Sequence, residues 1–145
     1  MIYYLIYISQ ATRLMSEDDL TFLLEESRRN NTTYGLTGML IYMENKLLNK
    51  AEGRFMQMLE GRAQDVELIF QRIVNDPRNR TPLLLTTGDA EQRRFSGWAM
   101  GFRFINHTAK LPGFLDLDAN TFLNPPFADQ SWPLSFLSSF YQINL

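Results

Sequence analysis

Apolar and polar positions along the chain follow two periods, one typical of strands and one typical of helices. Five segments with strand composition or alternation lie at residues 2–9, 36–43, 54–61, 82–88 and 97–105. Two segments with helical spacing lie between them, one from Ser16 to about Asn30 and one over 63–75. The order β-α-β-β-α-β-β predicts an α+β, ferredoxin-like sheet with two helices on one face.

Local signals mark the ends of both predicted helices. Ser16 and Asp19 have the spacing of a capping box, with Asp in place of Glu. Gly35 follows the polar tract NNTTY and favours a turn there. The pair Asp76-Pro77 is expected to end the second helix, since the residue before a proline avoids helical dihedrals.

The chain beyond residue 105 has a weaker pattern that four prolines interrupt. Residues 132–145 are expected to form a short helix that covers the other face of the sheet. The predicted organisation is therefore one domain over 1–105 and a helical C-terminal extension over 106–145.

Polar residues interrupt the apolar stripes at three places. Tyr7 lies in the middle of the first strand, Gln57 in the middle of the third, and Asn30 and Asn31 at the end of the first helix. The first and third strands form the central pair of this fold, so Tyr7 and Gln57 can be neighbours that point toward the helices. A buried amide has donors and an acceptor to satisfy, and a hydroxyl–amide cluster would satisfy them. A purely structural polar network explains the same residues.

A charged group lies at the end of the second helix and consists of Arg72, Asp76 and Arg78. Arginine pairs suit a phosphate through their fork geometry. A solvated helix end, where arginine is favoured by the helix dipole, explains the group equally well.

Composition excludes several classes of function. The 145 residues, 45% of them apolar, predict a single domain, and the net charge of −2 argues against a nucleic-acid or membrane partner. There is no cysteine and only one histidine, His107, so a metal site or a thiolate nucleophile is not expected. The chain shows no signal peptide and no transmembrane run, which favours a cytoplasmic protein.

Five segments together resemble the BLUF family, the blue-light sensors that use flavin. They are LIYIS, RRNNTTYGLTGMLIY, RFMQMLEG, RIVNDPR and FSGWAM, and they extend over about residues 1–105. The resemblance implies a noncovalent flavin between the two helices, with FAD expected and FMN or riboflavin as alternatives. It implies a switch and not an enzyme, which signals by contact with a separate effector protein or as a homo-oligomer.

The resemblance also implies roles for single residues. Tyr7 would donate an electron and a proton to the excited flavin, and Gln57 would be the amide that changes its hydrogen bonds. Trp98 and Met100 would lie together on the strand that relays the change. The expected cofactor-binding residues are Tyr7, Leu23, Ser27, Asn30, Asn31, Gln57, Arg72, Ile73, Asp76 and Arg78.

Two departures from the family pattern affect these expectations. Residues 44–53 lengthen the hairpin before the third strand, and a register shift of one residue there would turn Gln57 away from the flavin. The family often has histidine after the arginine at position 78, where this chain has Asn79.

Three other functions compete with a photoreceptor. A small ferredoxin-like enzyme such as an acylphosphatase needs an anion loop near the chain start, where only Arg13 is present. An RNA-recognition module would need a basic surface around exposed aromatics. A light-insensitive ligand-binding or interaction module with the same fold stays open, and the presence or absence of bound flavin would decide.

Overall fold

The computed structural model describes residues 1–45 and 51–107 of the chain. The elements, in chain order, are β1 (Ile2–Ala11), α1 (Glu17–Tyr34), β2 (Thr37–Asn45), β3 (Glu52–Gly61), α2 (Ala63–Val74), β4 (Asn79–Ala90) and β5 (Gly101–His107). This order confirms the predicted α+β, ferredoxin-like arrangement. The predicted C-terminal extension lies outside the described residues.

The five strands form one sheet in the order β4-β1-β3-β2-β5. All neighbouring strands are antiparallel except β2 and β5, which are parallel. β1 and β3 are adjacent, as predicted, and their register places Tyr7 opposite Gln57. The β2–β3 pairing continues to Asn45 and Glu52, so the longer hairpin leaves Gln57 in register.

The two faces of the sheet carry separate apolar clusters. The face toward the helices contains Leu5, Tyr7, Phe55 and Leu59, packed against α2. The outer face contains the side chains in between, among them Ile6, Ile8, Met56, Met58 and the loop residue Phe95. Strand alternation produces this division, because successive side chains point to opposite faces.

Helix α1 begins and ends with defined caps. Ser16 Oγ accepts a hydrogen bond from Asp19 N at 3.0 Å, and Asp19 Oδ2 accepts one from Ser16 N at 2.9 Å. The Ser16 backbone hydrogen bond and the Arg13 side chain lower the pKa of Asp19 to about 2. Gly35 closes the other end in the left-handed region, with φ of 67°.

Helix α1 extends one turn beyond its predicted end at Asn30. Asn and Thr are poor helix formers, but Asn31 is buried and the Thr33 hydroxyl donates to Arg29 O at 2.9 Å. Tertiary burial therefore outweighs the local propensity of the polar tract. As a result, Asn30 and Asn31 lie within α1, and the helix fixes the direction in which each side chain leaves the backbone.

The prediction that Trp98 and Met100 share a face of the last strand is wrong. β5 begins at Gly101, and both residues lie in a turn before it, where Gly97 has φ of 85°. Met100 is buried in the helix-side cluster, whereas Trp98 is 44% exposed and stacks on Phe95 of the outer-face cluster. Alternation does not apply to these two residues, because the chain is turning and not extended there.

Neither helix in the described part of the chain is both long and apolar enough to cross a membrane.

Candidate functional site

A cleft of about 210 Å³ opens between α1 and α2 above the central strands. All of the cofactor-binding residues that the resemblance predicts border this cleft. Five further residues also line it, namely Glu26, Leu40, Phe55, Ile69 and Asn79. Trp98 and Met100 do not line it.

The floor of the cleft is a hydrogen-bonded pair on the two central strands. The Tyr7 hydroxyl donates to Gln57 Oε1 at 2.5 Å, and both side chains are 4% exposed. Gln57 Nε2 in turn donates to the sulfur of Met100 at 3.6 Å. Burial, and after it the negative charge of Asp76, raises the pKa of Tyr7 well above its ordinary value. The phenol therefore keeps its proton, and the direction of the bond to Gln57 is defined.

Asn31 lies beside this pair, on the last turn of α1. It is 1% exposed, and its Nδ2 donates to Ala99 O at 2.5 Å. Arg28, on the same helix, donates from Nε to Met100 O at 3.0 Å.

These contacts attach residues 95–100, the turn before β5, to the floor of the cleft. Asn31 contacts Ala99, Gln57 contacts Met100, and Gly38 N of β2 donates to Trp98 O at 3.1 Å. The carboxylate of Glu60 accepts hydrogen bonds from the backbone N–H groups of residues 94 and 95. The turn before β5 is thus attached to Gln57 and Asn31 of the cleft, and to Gly38 and Glu60 of the neighbouring strands.

The walls of the cleft between its two ends are apolar. Leu23 comes from α1, Ile69 and Ile73 from α2, and Leu40 and Phe55 from the sheet. Apolar walls with a few fixed polar groups are the usual lining of a small-molecule site. The spacing between two helices suits a flat, largely apolar ring with polar atoms along one edge.

The other end of the cleft is charged. Arg78 donates from Nη2 to Asp76 Oδ2 at 2.5 Å and to Glu26 Oε1 at 2.7 Å. Burial tends to raise the pKa of Asp76, but the hydrogen bonds and charge of Arg78 outweigh this and lower it. Hydrogen bonding to Asp76 raises the pKa of Arg78. Arg78 thus joins the side chains of Asp76 and Glu26 in one cluster.

Arg72 and Asn79 complete the charged end. Arg72 is exposed, donates to the Tyr34 hydroxyl at 2.9 Å, and lies 5.2 Å from the centre of the Tyr34 ring. The Asn79 Nδ2 donates to the Ile73 and Asp76 carbonyls, at 3.1 and 3.4 Å. The Asn79 side-chain oxygen is buried and has no hydrogen-bond partner within residues 1–45 and 51–107.

Sequence reasoning misses Glu26 and Asn79 as residues of the site, although Glu26 carries a signal. Leu23, Glu26, Ser27 and Asn30 follow the i, i+3, i+4, i+7 spacing of one helix face, so Glu26 belongs to the same stripe. A lone carboxylate on that stripe indicates a buried partner or a ligand. No comparable local signal distinguishes Asn79.

Comparison with known proteins identifies the family. The profile of the BLUF family, described as sensors of blue-light using FAD, matches residues 2–101. The chain belongs to the BLUF family. BLUF domains bind flavin and sense blue light, so the predicted class of function and the predicted cofactor class are confirmed.

Curated relatives of this BLUF chain are much longer proteins. Photoactivated adenylate cyclase subunit beta from Euglena gracilis is 33% identical over 114 residues, which are 78% of this chain and 12% of the relative. The corresponding subunit from Euglena longa is 32% identical with the same coverage. The chain thus spans 12% of the length of these relatives.

Solved BLUF structures share the fold. BlsA in its photo-activated state aligns with a TM-score of 0.67 at 30% identity, covering 97% of this chain and 94% of that one. BlrP1 from Klebsiella pneumoniae, solved with FMN and cyclic diGMP, aligns with a TM-score of 0.61 at 32% identity, covering 72% and 26%.

The residues of the BLUF cleft fit a flavin. Its floor presents a hydroxyl and two amides to the hydrogen-bonding edge of an isoalloxazine ring, and its walls present aliphatic side chains to the ring faces. The hydroxyl, the amides and the aliphatic walls therefore suit a largely apolar ring with polar atoms along one edge.

Proposed function

We propose that this chain is a light-driven hydrogen-bond switch in which Tyr7 and Gln57 are the reacting pair. The observation that supports this is the buried, short hydrogen bond from the Tyr7 hydroxyl to Gln57 Oε1 on the floor of the cleft. A bound flavin supplies absorption of blue light and an excited state that is a strong oxidant.

Tyr7 is the electron and proton donor in this proposal. Its hydroxyl proton points at Gln57 Oε1, so oxidation of the phenol and movement of the proton to that oxygen occur along one preformed bond. The raised pKa of Tyr7 keeps the phenol protonated before illumination. Return of the electron and proton restores Tyr7, so nothing is consumed and the change is reversible.

Gln57 is the switch, because its amide can exchange donor and acceptor ends. Before illumination its oxygen accepts from Tyr7 and its Nε2 donates to the Met100 sulfur. After rotation or tautomerisation of the amide, Tyr7 can accept where it donated before. Thioether sulfur is only a weak acceptor, so the bond to Met100 costs little to break and both amide states are accessible.

The turn of residues 95–100 is the proposed output. It is joined to the floor through the Gln57–Met100 and Asn31–Ala99 contacts. An altered Gln57 amide would weaken the first of these and shift Met100 relative to Ala99. We infer that the shifted turn is read by a separate effector protein, or by a second copy of the chain, in the cytoplasm.

The site around the ring is lined by Leu23, Ser27, Asn30 and Ile73. The end where the ribityl chain would run is lined by Arg72, Asp76 and Arg78. Asn31 is assigned to the carbonyl edge of the ring, because it lines the cleft together with Tyr7 and Gln57 and its side-chain nitrogen is fixed by the bond to Ala99.

The decisive experiment is a light-minus-dark absorption spectrum of the full chain carrying flavin. We expect blue light to shift the flavin band to the red and darkness to reverse the shift. Gln57→Leu should retain flavin and lose the shift, since leucine fills the site without an amide. Gln64→Leu, the same change at an exposed position of α2, is the matched control and should behave like the unaltered chain.

Two results would overturn this function. A normal photocycle in Gln57→Leu would remove Gln57 from the switch. A chain that binds flavin and shows no shift at all would be a light-insensitive binding module that has kept the fold.

A further inference from the structure

The turn of residues 95–100 is held at two places, and only one of them is the cleft. At its end the turn contacts Gln57 and Asn31, and at its start it is bound by Glu60 of β3. We propose that Glu60, together with Arg93, is a fixed support that keeps the start of the turn in place in darkness and in light, and thereby sets the lifetime of the red-shifted state. The inference rests on the proposed switch and concerns how its change is reversed.

Glu60 holds the chain at residues 94 and 95 through both of its side-chain oxygens. Its Oε2 accepts a hydrogen bond from Arg94 N at 2.8 Å, and its Oε1 accepts one from Phe95 N at 2.7 Å. Oε1 also accepts from the Thr37 hydroxyl at 2.8 Å, and Glu60 is 1% exposed. A buried group with three hydrogen bonds is costly to move, because water cannot replace the bonds that it loses.

Arg93 strengthens this support from the neighbouring position. Its Nη1 donates to the Thr37 hydroxyl oxygen at 2.9 Å and to Glu60 O at 3.3 Å, and its Nη2 donates to Gly35 O at 2.8 Å. Thr37 begins β2 and Gly35 caps α1, so Arg93 joins the segment before the turn to β2, β3 and α1. The support is therefore tied to three elements of the fold and does not depend on the amide of the switch.

The part of the turn that can follow the switch is short. Phe95 O accepts from Trp98 N at 3.0 Å, which closes the first four residues of the turn, and Trp98 O accepts from a backbone N–H of β2 at 3.1 Å. The strand β5 begins directly after Met100 and pairs with β2. Ala99 and Met100 therefore form a two-residue link between the supported part of the turn and the sheet.

A short link between two held segments favours the position in which both ends fit. In the proposed switch, the Gln57 amide changes and weakens its bond to the Met100 sulfur, while the residues bound by Glu60 stay in place. The supported end still favours the dark position of the link, so it biases the equilibrium toward the dark arrangement. A weaker support should therefore lengthen the life of the red-shifted state without altering the reaction of Tyr7 with Gln57.

The first test follows single backbone amides of the full, flavin-loaded chain by NMR, in darkness and under blue light. We expect the amide signals of Arg94 and Phe95 to keep their positions, while those of Ala99 and Met100 shift. Equal shifts at all four amides, or none at any of them, beside a normal red shift of the flavin band would overturn the inference and leave the proposed function intact. A flavin band that does not shift would overturn the proposed function, and the inference with it.

The second test weakens the support. Glu60→Gln leaves an acceptor at only one end of the side chain, so one of the two backbone N–H groups loses its partner. We expect the red shift to keep its size and dark recovery to become about tenfold slower, the effect of losing one buried hydrogen bond. Glu91→Gln removes a carboxylate from an exposed position before the turn and should recover at the unaltered rate. An unchanged or faster recovery in Glu60→Gln would overturn the role of Glu60.

A matched variant separates the support from stability in general. Val66→Ala removes buried apolar volume from α2, at a position that does not line the cleft, and destabilises the chain through packing. Denaturant titration measures the loss of stability in each variant. We expect slow dark recovery in Glu60→Gln and not in Val66→Ala. Equally slow recovery in both would overturn the inference, because recovery would then follow stability alone.

Arg93→Gln tests the support in a chain that keeps the Glu60 side chain. Loss of the guanidinium should slow dark recovery by only about threefold, because Thr37 and Glu60 still bind each other. Arg94→Gln changes the neighbouring exposed side chain and keeps the backbone N–H that Glu60 binds. Equal recovery rates in the two variants would remove Arg93 from the proposal.

Discussion

The two ends of the cleft satisfy their buried polar groups in opposite ways. At the ring end, Tyr7, Gln57 and Asn31 are neutral, and each can act through a donor or an acceptor. At the tail end, Arg78 binds the side chains of Asp76 and Glu26. The comparison shows that the amides and the hydroxyl of the ring end can exchange donor and acceptor roles, as the proposed switch requires, whereas a guanidinium at the tail end can only donate.

The two ends are close enough to influence each other electrostatically. Burial is the main cause of the raised pKa of Tyr7; after it, the negative charge of Asp76 raises this pKa and the positive charge of Arg78 lowers it. Because Asp76 and Arg78 are paired, their effects on the pKa of Tyr7 oppose each other.

The largest expected effect comes from removing the Tyr7 hydroxyl at the ring end of the cleft. Tyr7→Phe should lower the yield of the red-shifted state roughly 100-fold or more, because a positioned proton-transfer group typically contributes factors of that size. Flavin binding should change far less. The measurement is the light-minus-dark spectrum, with Tyr4→Phe in the same strand as the matched control. A normal yield of the red-shifted state in Tyr7→Phe would show that the photocycle does not need the Tyr7 hydroxyl.

A smaller effect is expected from Asn31, which joins the ring end to the turn before β5. Asn31→Ala leaves the Ala99 carbonyl without its side-chain donor, and a buried group that loses its partner costs about 1–3 kcal/mol. We expect a loss of that size in the free energy of unfolding, together with weaker flavin binding. Denaturant titration and flavin titration measure the two effects. Asn30→Ala, at the adjacent position of α1, is the control for stability alone, and an equal or larger loss in its free energy of unfolding would contradict the structural role of Asn31.

The smallest effect is the pH dependence of the tail end. The pKa of Asp76 is lowered in the folded chain, so its stabilising contribution is complete above its unfolded value, about 3.9, and is lost as the pH falls through the lower folded value. Asp76→Asn should therefore destabilise the chain by about 1 kcal/mol near neutral pH, the range for partly exposed ion pairs. The difference should diminish below about pH 4.

Denaturant titrations at pH 7 and at acid pH check this prediction, with Asp89→Asn at an exposed position of β4 as the control. The ring end should behave differently, because the pKa of Tyr7 lies above its ordinary value and the phenol does not titrate from pH 5 to 8. A dark-state absorption spectrum that changes between pH 5 and 8 because Tyr7 loses its proton would contradict this expectation.

Much of the ring end could be predicted from the sequence. Tyr7 and Gln57 are the polar interruptions of two strands whose faces are both apolar, and the adjacency of these strands follows from the element order. The register was less certain, because a shift of one residue exchanges one apolar set for another; the structure shows that the longer hairpin leaves Tyr7 opposite Gln57. The two-residue alternation of strands gave a wrong prediction for Trp98 and Met100, because the chain turns at these residues.

The tail end could be predicted only in part. Arg72, Asp76 and Arg78 are close in sequence and were expected together, as a group that holds phosphate. Glu26, which binds Arg78 across 52 positions of the chain, was not expected in this group. Its partner could not be read from any local period, since nothing in α1 indicates which residue after α2 will face it.

The sequence by itself determined the alternation of the strands, the caps of α1 and the residue types at the ring end, because each of these follows from interactions over a few positions. The tertiary structure alone decided which charges are already paired, which amide oxygen has no partner, and which side of the sheet Trp98 and Met100 take. Those properties depend on contacts between elements that are distant in the chain, and no local period specifies them.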